Sequence, residues 1–117
     1  MSELKILHNP RCSKSRQTLQ LLEEKGLTPI VIDYLNTPIS QKELSSIITK
    51  LGFNSARDLI RKGESEYKAQ NLADLSLSEA QLVEAMIKTP KLIERPIVLF
   101  KDKAAIGRPP EAVMEIL

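Results

Sequence analysis

With 117 residues and a formal net charge of +2, the chain has room for one compact domain around one core. Its charge is too small to imply a nucleic-acid partner, and its four aromatic side chains (Tyr34, Phe53, Tyr67 and Phe100) are too few for stacking platforms on single strands. The single cysteine and single histidine exclude an internal disulfide framework, a Cys-x-x-Cys redox pair and a zinc centre. Met1-Ser2-Glu3-Leu4-Lys5 lacks the apolar core of a signal peptide, and no run is long enough to span a bilayer. A cytoplasmic location without membrane association is therefore expected.

Leu4-Lys5-Ile6-Leu7 reads as a short strand. After the stretch His8–Arg16, Thr18, Leu19, Leu21 and Leu22 recur on one side of a helix that Gly26 stops. Pro29-Ile30-Val31-Ile32-Asp33-Tyr34 is rich in β-branched residues and suits a buried strand, which completes a parallel βαβ unit. Thr37-Pro38 breaks the chain. Ser40-Gln41-Lys42-Glu43 predicts a capping box, with Ile39 and Leu44 as its hydrophobic staple. The helix it opens carries Leu44, Ile47, Ile48 and Leu51 before Gly52 ends it.

A shorter helix capped by Asn54 or Ser55 is predicted through Leu59, Ile60 and Arg61, closed by Gly63, and the polar segment Glu64–Leu75 is predicted to be partly helical. Ser78-Glu79-Ala80-Gln81 is a second capping box, stapled by Leu77 and Leu82, for a helix with Val83, Met86 and Ile87 before Thr89-Pro90. Arg95-Pro96 introduces the strand Ile97-Val98-Leu99-Phe100. Lys101-Asp102-Lys103 is a charged hairpin turn, and Ala104-Ala105-Ile106 the returning strand. Gly107-Arg108-Pro109-Pro110 leads into a final helix, with Glu111 at its start and Val113, Ile116 and Leu117 facing inward. The order β-α-β, several helices, then β-β-α suggests an α/β fold: a thioredoxin-like mixed sheet in a single domain over 1–117, with a helical insertion at about 40–90.

Cys12 sits where the first strand hands over to the first helix. Unpaired backbone N–H groups and the positive end of the helix dipole there stabilise a thiolate. Lys14, Arg11 and Arg16 add positive charge nearby, and His8 lies four residues upstream. Such surroundings lower a thiol pKa and expose the nucleophilic form at neutral pH. A lone cysteine is often only a small buried hydrophobe, but Arg11, Ser13, Lys14, Ser15 and Arg16 make an improbable buried run. His8 either tunes the thiol or is a hydrogen-bonded core residue. Arg95 and Arg108 lie at element ends, where side chains converge on one rim of a sheet. Arg61 either binds an anion or simply favours a helix C-terminus. In a thioredoxin-like layout the loop before the Arg95-Pro96 strand lies beside the cysteine helix, and its proline is usually cis. A thiolate acting on a small oxyanion needs guanidinium forks to bind it.

Several separated motifs carry a resemblance. They are His8-Asn9-Pro10-x-Cys12-x-x-Ser15-Arg16-x-Thr18-Leu19, Tyr34-Leu35-x-Thr37-Pro38, Leu59-Ile60-Arg61-Lys62, Glu94-Arg95-Pro96-Ile97-Val98 and Gly107-Arg108-Pro109-Pro110-Glu111. In this order they resemble the glutaredoxin-coupled arsenate reductase family over nearly the whole chain. The resemblance implies a thioredoxin-like fold and Cys12 as nucleophile, with His8 and Ser15 supporting its thiolate. It further implies that Arg61, Arg95 and Arg108 bind arsenate, that glutathione is the co-substrate and that glutaredoxin clears the mixed disulfide. No metal or bound cofactor is expected, and a monomer suffices. Two other readings share the fold. One is a transcriptional regulator that binds RNA polymerase, though that group usually carries a second cysteine where this chain has Ser15. The other is a related thiol reductase acting on a different oxyanion or on glutathione adducts.

Overall fold

The computed structural model describes residues 4–37 and 39–117, so Met1, Ser2, Glu3 and the proline of the Thr37-Pro38 break lie outside the described residues. The chain divides into two compact units, Met1–Thr37 with Arg95–Leu117, and Pro38–Glu94.

The first unit is built on a four-stranded mixed sheet in the order β2-β1-β3-β4. Its strands are β1 (Leu4–Leu7), β2 (Ile30–Ile32), β3 (Ile97–Phe100) and β4 (Lys103–Ile106). β2 runs parallel to β1, as a βαβ unit requires, while β3 is antiparallel to both β1 and β4. The register sets Ile6 opposite Val98 and Val98 opposite Ala105. Side chains alternate across a strand, so these three share one face. They meet Leu22 and Leu19 of helix α1 (Ser13–Glu24) together with Val113, Met114 and Ile116 of a C-terminal 3-10 helix (Pro110–Ile116), and this is the core of the unit. Leu7, Ile97 and Leu99, one residue out of phase, are buried on the opposite face.

α1 ends in a Schellman arrangement. The Leu27 N–H donates to the Leu22 carbonyl and the Gly26 N–H to the Glu23 carbonyl. Gly26 supplies the left-handed backbone, φ 79°, that this closure needs.

Three expectations are corrected in this unit. Ile30 and Val31 are each 48% exposed, because β2 is an edge strand paired only with β1; a β-branched run reads the same at an edge as in a sheet centre. The last element is a 3-10 helix rather than an α-helix, and Leu117 is exposed rather than inward. Lys103 belongs to β4 opposite Phe100, so the hairpin turn is the pair Lys101-Asp102, with Lys101 at φ 58°.

In the second unit, α2 (Gln41–Lys50) and α4 (Glu79–Lys88) bury Leu44, Ile47 and Ile48, and Leu82, Val83 and Met86. The reciprocal capping box forms at Ser78 and Gln81, while at α2 Ser40 caps through the Glu43 N–H. α3 is a single short helix, Ser65–Ala69. Glu79 spans to the neighbouring turn. Its carboxylate accepts the Ala56 N–H at 2.6 Å and the Ser55 hydroxyl at 2.8 Å, which holds its pKa below the usual range. The helix predicted through Arg61 is a 3-10 turn confined to Ala56–Leu59. Ile60 is extended and bridges Ile93, with the Arg61 N–H donating to the Leu92 carbonyl at 2.7 Å and the Glu94 N–H to the Leu59 carbonyl at 2.9 Å. Pairing with a segment some thirty residues away displaced local helix propensity.

Gly107 links β4 to the segment that carries Arg108. A Cβ there would run into the Thr18 side chain of α1 and would lie 2.8 Å from Pro96 Cγ. Gly107→Ala is expected to cost about 1–3 kcal/mol through this overpacking, read as a lower urea midpoint at unchanged slope; an unchanged midpoint would show that α1 yields freely there.

Candidate active site

The loop Leu7–Ser13 brings the sulfur to the mouth of α1. Cys12 is the N-cap, with φ −94° and ψ 122°, and its carbonyl accepts the Arg16 N–H at 3.0 Å. Its own N–H donates to the Asn9 carbonyl at 3.0 Å, and the Asn9 side chain accepts the Arg11 N–H at 3.0 Å, which closes the turn from both ends. Arg16 reaches back to donate to the Pro10 carbonyl at 2.8 Å. The sulfur makes no conventional cap hydrogen bond, yet the N–H groups of Ser15 and Lys14 face it and favour its thiolate.

His8 and Ser15 form the buried floor of this loop. His8 Nδ1 and Ser15 Oγ share a 2.6 Å hydrogen bond, and Oγ also accepts the Asn9 N–H at 3.0 Å. Ser15 is fully buried. Burial lowers the His8 pKa; Asp33 pulls it up, Arg16 pushes it down, and the balance lies below the ordinary value. His8 therefore favours its neutral form more than a free histidine does. It acts on the loop through Ser15, and Ser15 serves Cys12 through its backbone N–H rather than its hydroxyl.

The sheet end brings two arginines to the sulfur. Arg108 Nη2 lies 3.5 Å from Cys12 Sγ, while Arg108 Nε donates to the Arg95 carbonyl at 2.8 Å. The Arg95 side chain also favours the thiolate. Both arginines precede cis prolines, Pro96 and Pro109. The first of these matches the thioredoxin-like expectation, and the second has no counterpart in the sequence reading. Burial pushes the Cys12 thiol up, but the Ser15 amide, Arg95, the Lys14 amide and Arg108 together bring it below its ordinary value.

Cys12, His8, Ser15, Arg95 and Arg108 thus lie together in the first unit. Arg61 belongs to the second, where its half-buried guanidinium lies 3.4 Å from a Glu64 carboxylate oxygen and 3.7 Å from one of Glu94. The groups that lower the Cys12 pKa are, in order, the Ser15 amide, Arg95, the Lys14 amide and Arg108, whereas sequence proximity points to the side chains of Arg11, Lys14 and Arg16. Beyond its place in the His8-Asn9-Pro10 motif, Asn9 has a role in closing the turn, for which an Asn two residues before an N–H that it can accept is the available signal. Among the described residues, no group of three His, Cys, Asp or Glu side chains could hold a metal ion, and no helix is long and apolar enough to cross a membrane.

A mixed sheet whose first strand delivers an activated cysteine to the N-terminus of the first helix, with a cis proline opening the third strand, defines a thioredoxin-like protein. The chain belongs to the ArsC family, whose pattern matches residues 7–116. It is 56% identical over 115 residues to an uncharacterized protein, YfgD, of Escherichia coli (98% of this chain, 97% of that one). It is 54% identical over 112 residues to an arsenate reductase of Haemophilus influenzae (96% and 97%). Among solved structures, an arsenate reductase from Vibrio cholerae superposes with a TM-score of 0.96 at 51% identity and 98% coverage of both chains.

Alkylation of Cys12 by iodoacetamide is expected to stay fast below the pH at which a free cysteine peptide slows, and to fall off only as pH drops through the lowered pKa. Arg108→Ala removes stabilisation of the thiolate and moves that profile to higher pH. A wild-type profile matching the free peptide would refute an activated thiol.

Proposed function

We propose that the protein is an oxidoreductase that reduces arsenate to arsenite at Cys12, using glutathione and glutaredoxin as the external thiol system. One observation carries this reading: an activated sulfur lies 3.5 Å from a guanidinium nitrogen of Arg108, with Arg95 alongside, in a chain holding one cysteine. Guanidinium forks match tetrahedral oxyanions, and N–H groups at a helix N-terminus add to the attraction. The names of the relatives supply arsenate as the oxyanion.

The Cys12 thiolate attacks arsenic(V), an S–As bond forms, and one arsenate oxygen leaves as water after protonation. Arg95 and Arg108 neutralise the charge on the remaining oxygens and hold arsenic in line with the sulfur. A glutathione thiolate then attacks the Cys12 sulfur. The S–As electron pair passes to arsenic, which leaves as arsenite, and a Cys12–glutathione disulfide remains. A second thiol, from glutaredoxin, takes the glutathione and returns the Cys12 thiolate. Two thiols are oxidised to one disulfide for each arsenate reduced. His8 and Ser15 hold the loop that aims the amides of Lys14 and Ser15. Arg61 is a third proposed oxyanion ligand on the strength of its Leu-Ile-Arg-Lys motif.

The test is arsenate-dependent NADPH oxidation in a coupled mixture of glutathione, glutathione reductase and glutaredoxin. Wild type turns over and Cys12→Ser does not. Arg95→Ala and Arg108→Ala each lose about 100-fold or more in kcat/KM, the scale of removing a transition-state charge donor. Arg61→Ala raises the KM for arsenate if the motif assignment holds. Full turnover by Cys12→Ser would overturn the mechanism, and no turnover by wild type would overturn the choice of substrate.

A further inference from the structure

The ends of β1 and β2 bring two titratable residues to the same rim of the sheet. Leu7 pairs with Ile32 in parallel register, and the His8 N–H donates to the Ile32 carbonyl at 3.0 Å. The next step of that register sets Asp33 beside His8, and residues at the same step of a parallel pair share a face. Asp33 is anchored by its own turn. Its carbonyl accepts the Asn36 and Thr37 N–H groups at 3.1 and 2.8 Å, and its Oδ2 accepts the Asn36 side-chain amide at 2.7 Å. Its other carboxylate oxygen, Oδ1, is buried and has no hydrogen-bond partner among the described residues.

A buried carboxylate oxygen without a donor is costly unless a neighbouring group compensates its charge, and His8 is the titratable neighbour across the strand pair. The charged groups that act on His8 are Asp33, which favours its protonated form, and Arg16 of α1, which opposes it. On the other side of β1, the register that sets Leu7 opposite Ile97 continues to Pro96, which carries no charge. His8 in turn shares its 2.6 Å hydrogen bond with Ser15 Oγ, and the Ser15 amide is the first of the groups that favour the Cys12 thiolate.

We propose that Asp33 is a positioning residue for the reactive thiol: its carboxylate steadies His8, and the His8–Ser15 hydrogen bond passes that constraint to the turn of α1 whose amides receive the sulfur. The charge of Asp33 taken alone would do the opposite, because a carboxylate near a thiol disfavours the thiolate. Positioning and bare charge therefore have opposite signs at Cys12, and this separates them. The proposal rests on the activated thiol of the reductase reading and not on the identity of its substrate.

Asp33→Asn keeps an oxygen for the Asn36 amide and removes the charge. The chain has one histidine, so its imidazole NMR signals report His8 alone. In Asp33→Asn the His8 titration should move to lower pH, since the group that favours the protonated ring is gone, and the iodoacetamide profile of Cys12 should move to higher pH. Asp33→Glu, which keeps the charge, should bring the His8 titration back towards wild type. In a His8→Gln background, Asp33→Asn should move the alkylation profile no further, because both residues act along one path. The proposal is overturned by a His8 titration that stays in place, or by a Glu variant that titrates as the Asn variant does. It is equally overturned by an alkylation profile that stays or moves to lower pH, or by a full second shift in the absence of His8. None of these readouts uses arsenate, so a failure of the substrate reading leaves them to decide.

Discussion

The site depends on a contest at one sulfur atom. Drawing Cys12 out of water favours the neutral thiol, and that is the largest single influence on it. Two amides at the start of α1 and two guanidiniums reverse the outcome. The arrangement follows from helix geometry. The first turn of an α-helix leaves N–H groups without partners, and an N-cap residue is placed to receive them. Here the cap is a thiol, a weak acceptor when protonated and a strong one when ionised, so the unsatisfied backbone itself promotes ionisation.

The aim of those amides depends on buried polar support. Among the described residues, His8, Asn9, Ser15 and Thr18 are the buried polar residues of the first unit, and all four belong to the cysteine loop or the first turns after it. A buried polar cluster is stable only when satisfied. Ser15 meets this by accepting from Asn9 while sharing a hydrogen bond with His8, and Thr18 by donating to the Lys14 carbonyl at 2.8 Å. Thr18 also faces Gly107, so the same helical turn that orders the loop admits the strand end bearing Arg108. Loop, helix and second strand pair are thus adjusted to one another at the sulfur.

How much of this was legible in the sequence followed the range of the forces involved. Strand and helix identities in the first unit, the glycine stops and the Ser78 capping box come from local patterns, and they were readable. Cys12 at the helix mouth was readable for the same reason. The approach of Arg108 to Cys12, 96 residues away, comes from sheet order, which no local pattern encodes; the position of Arg108 at an element end is the only sign of it in the residues themselves. Ile60 and Arg61 left their predicted helix because Ile93 offered them a bridge partner. The β-branched run at Ile30–Ile32 was correctly a strand, but whether a strand lies at a centre or an edge is decided by the rest of the sheet.

That edge has a consequence for association. β2 has no neighbour in the sheet on one side and carries two half-exposed aliphatic side chains, and such edges are where strands of other chains add. Two features blunt it. The strand is only three residues long, so an added strand would gain few ladder bonds. Pro29, immediately before it, has no N–H to donate. The chain can therefore leave an aliphatic margin uncovered beside an open thiol site without that margin becoming a template for growth.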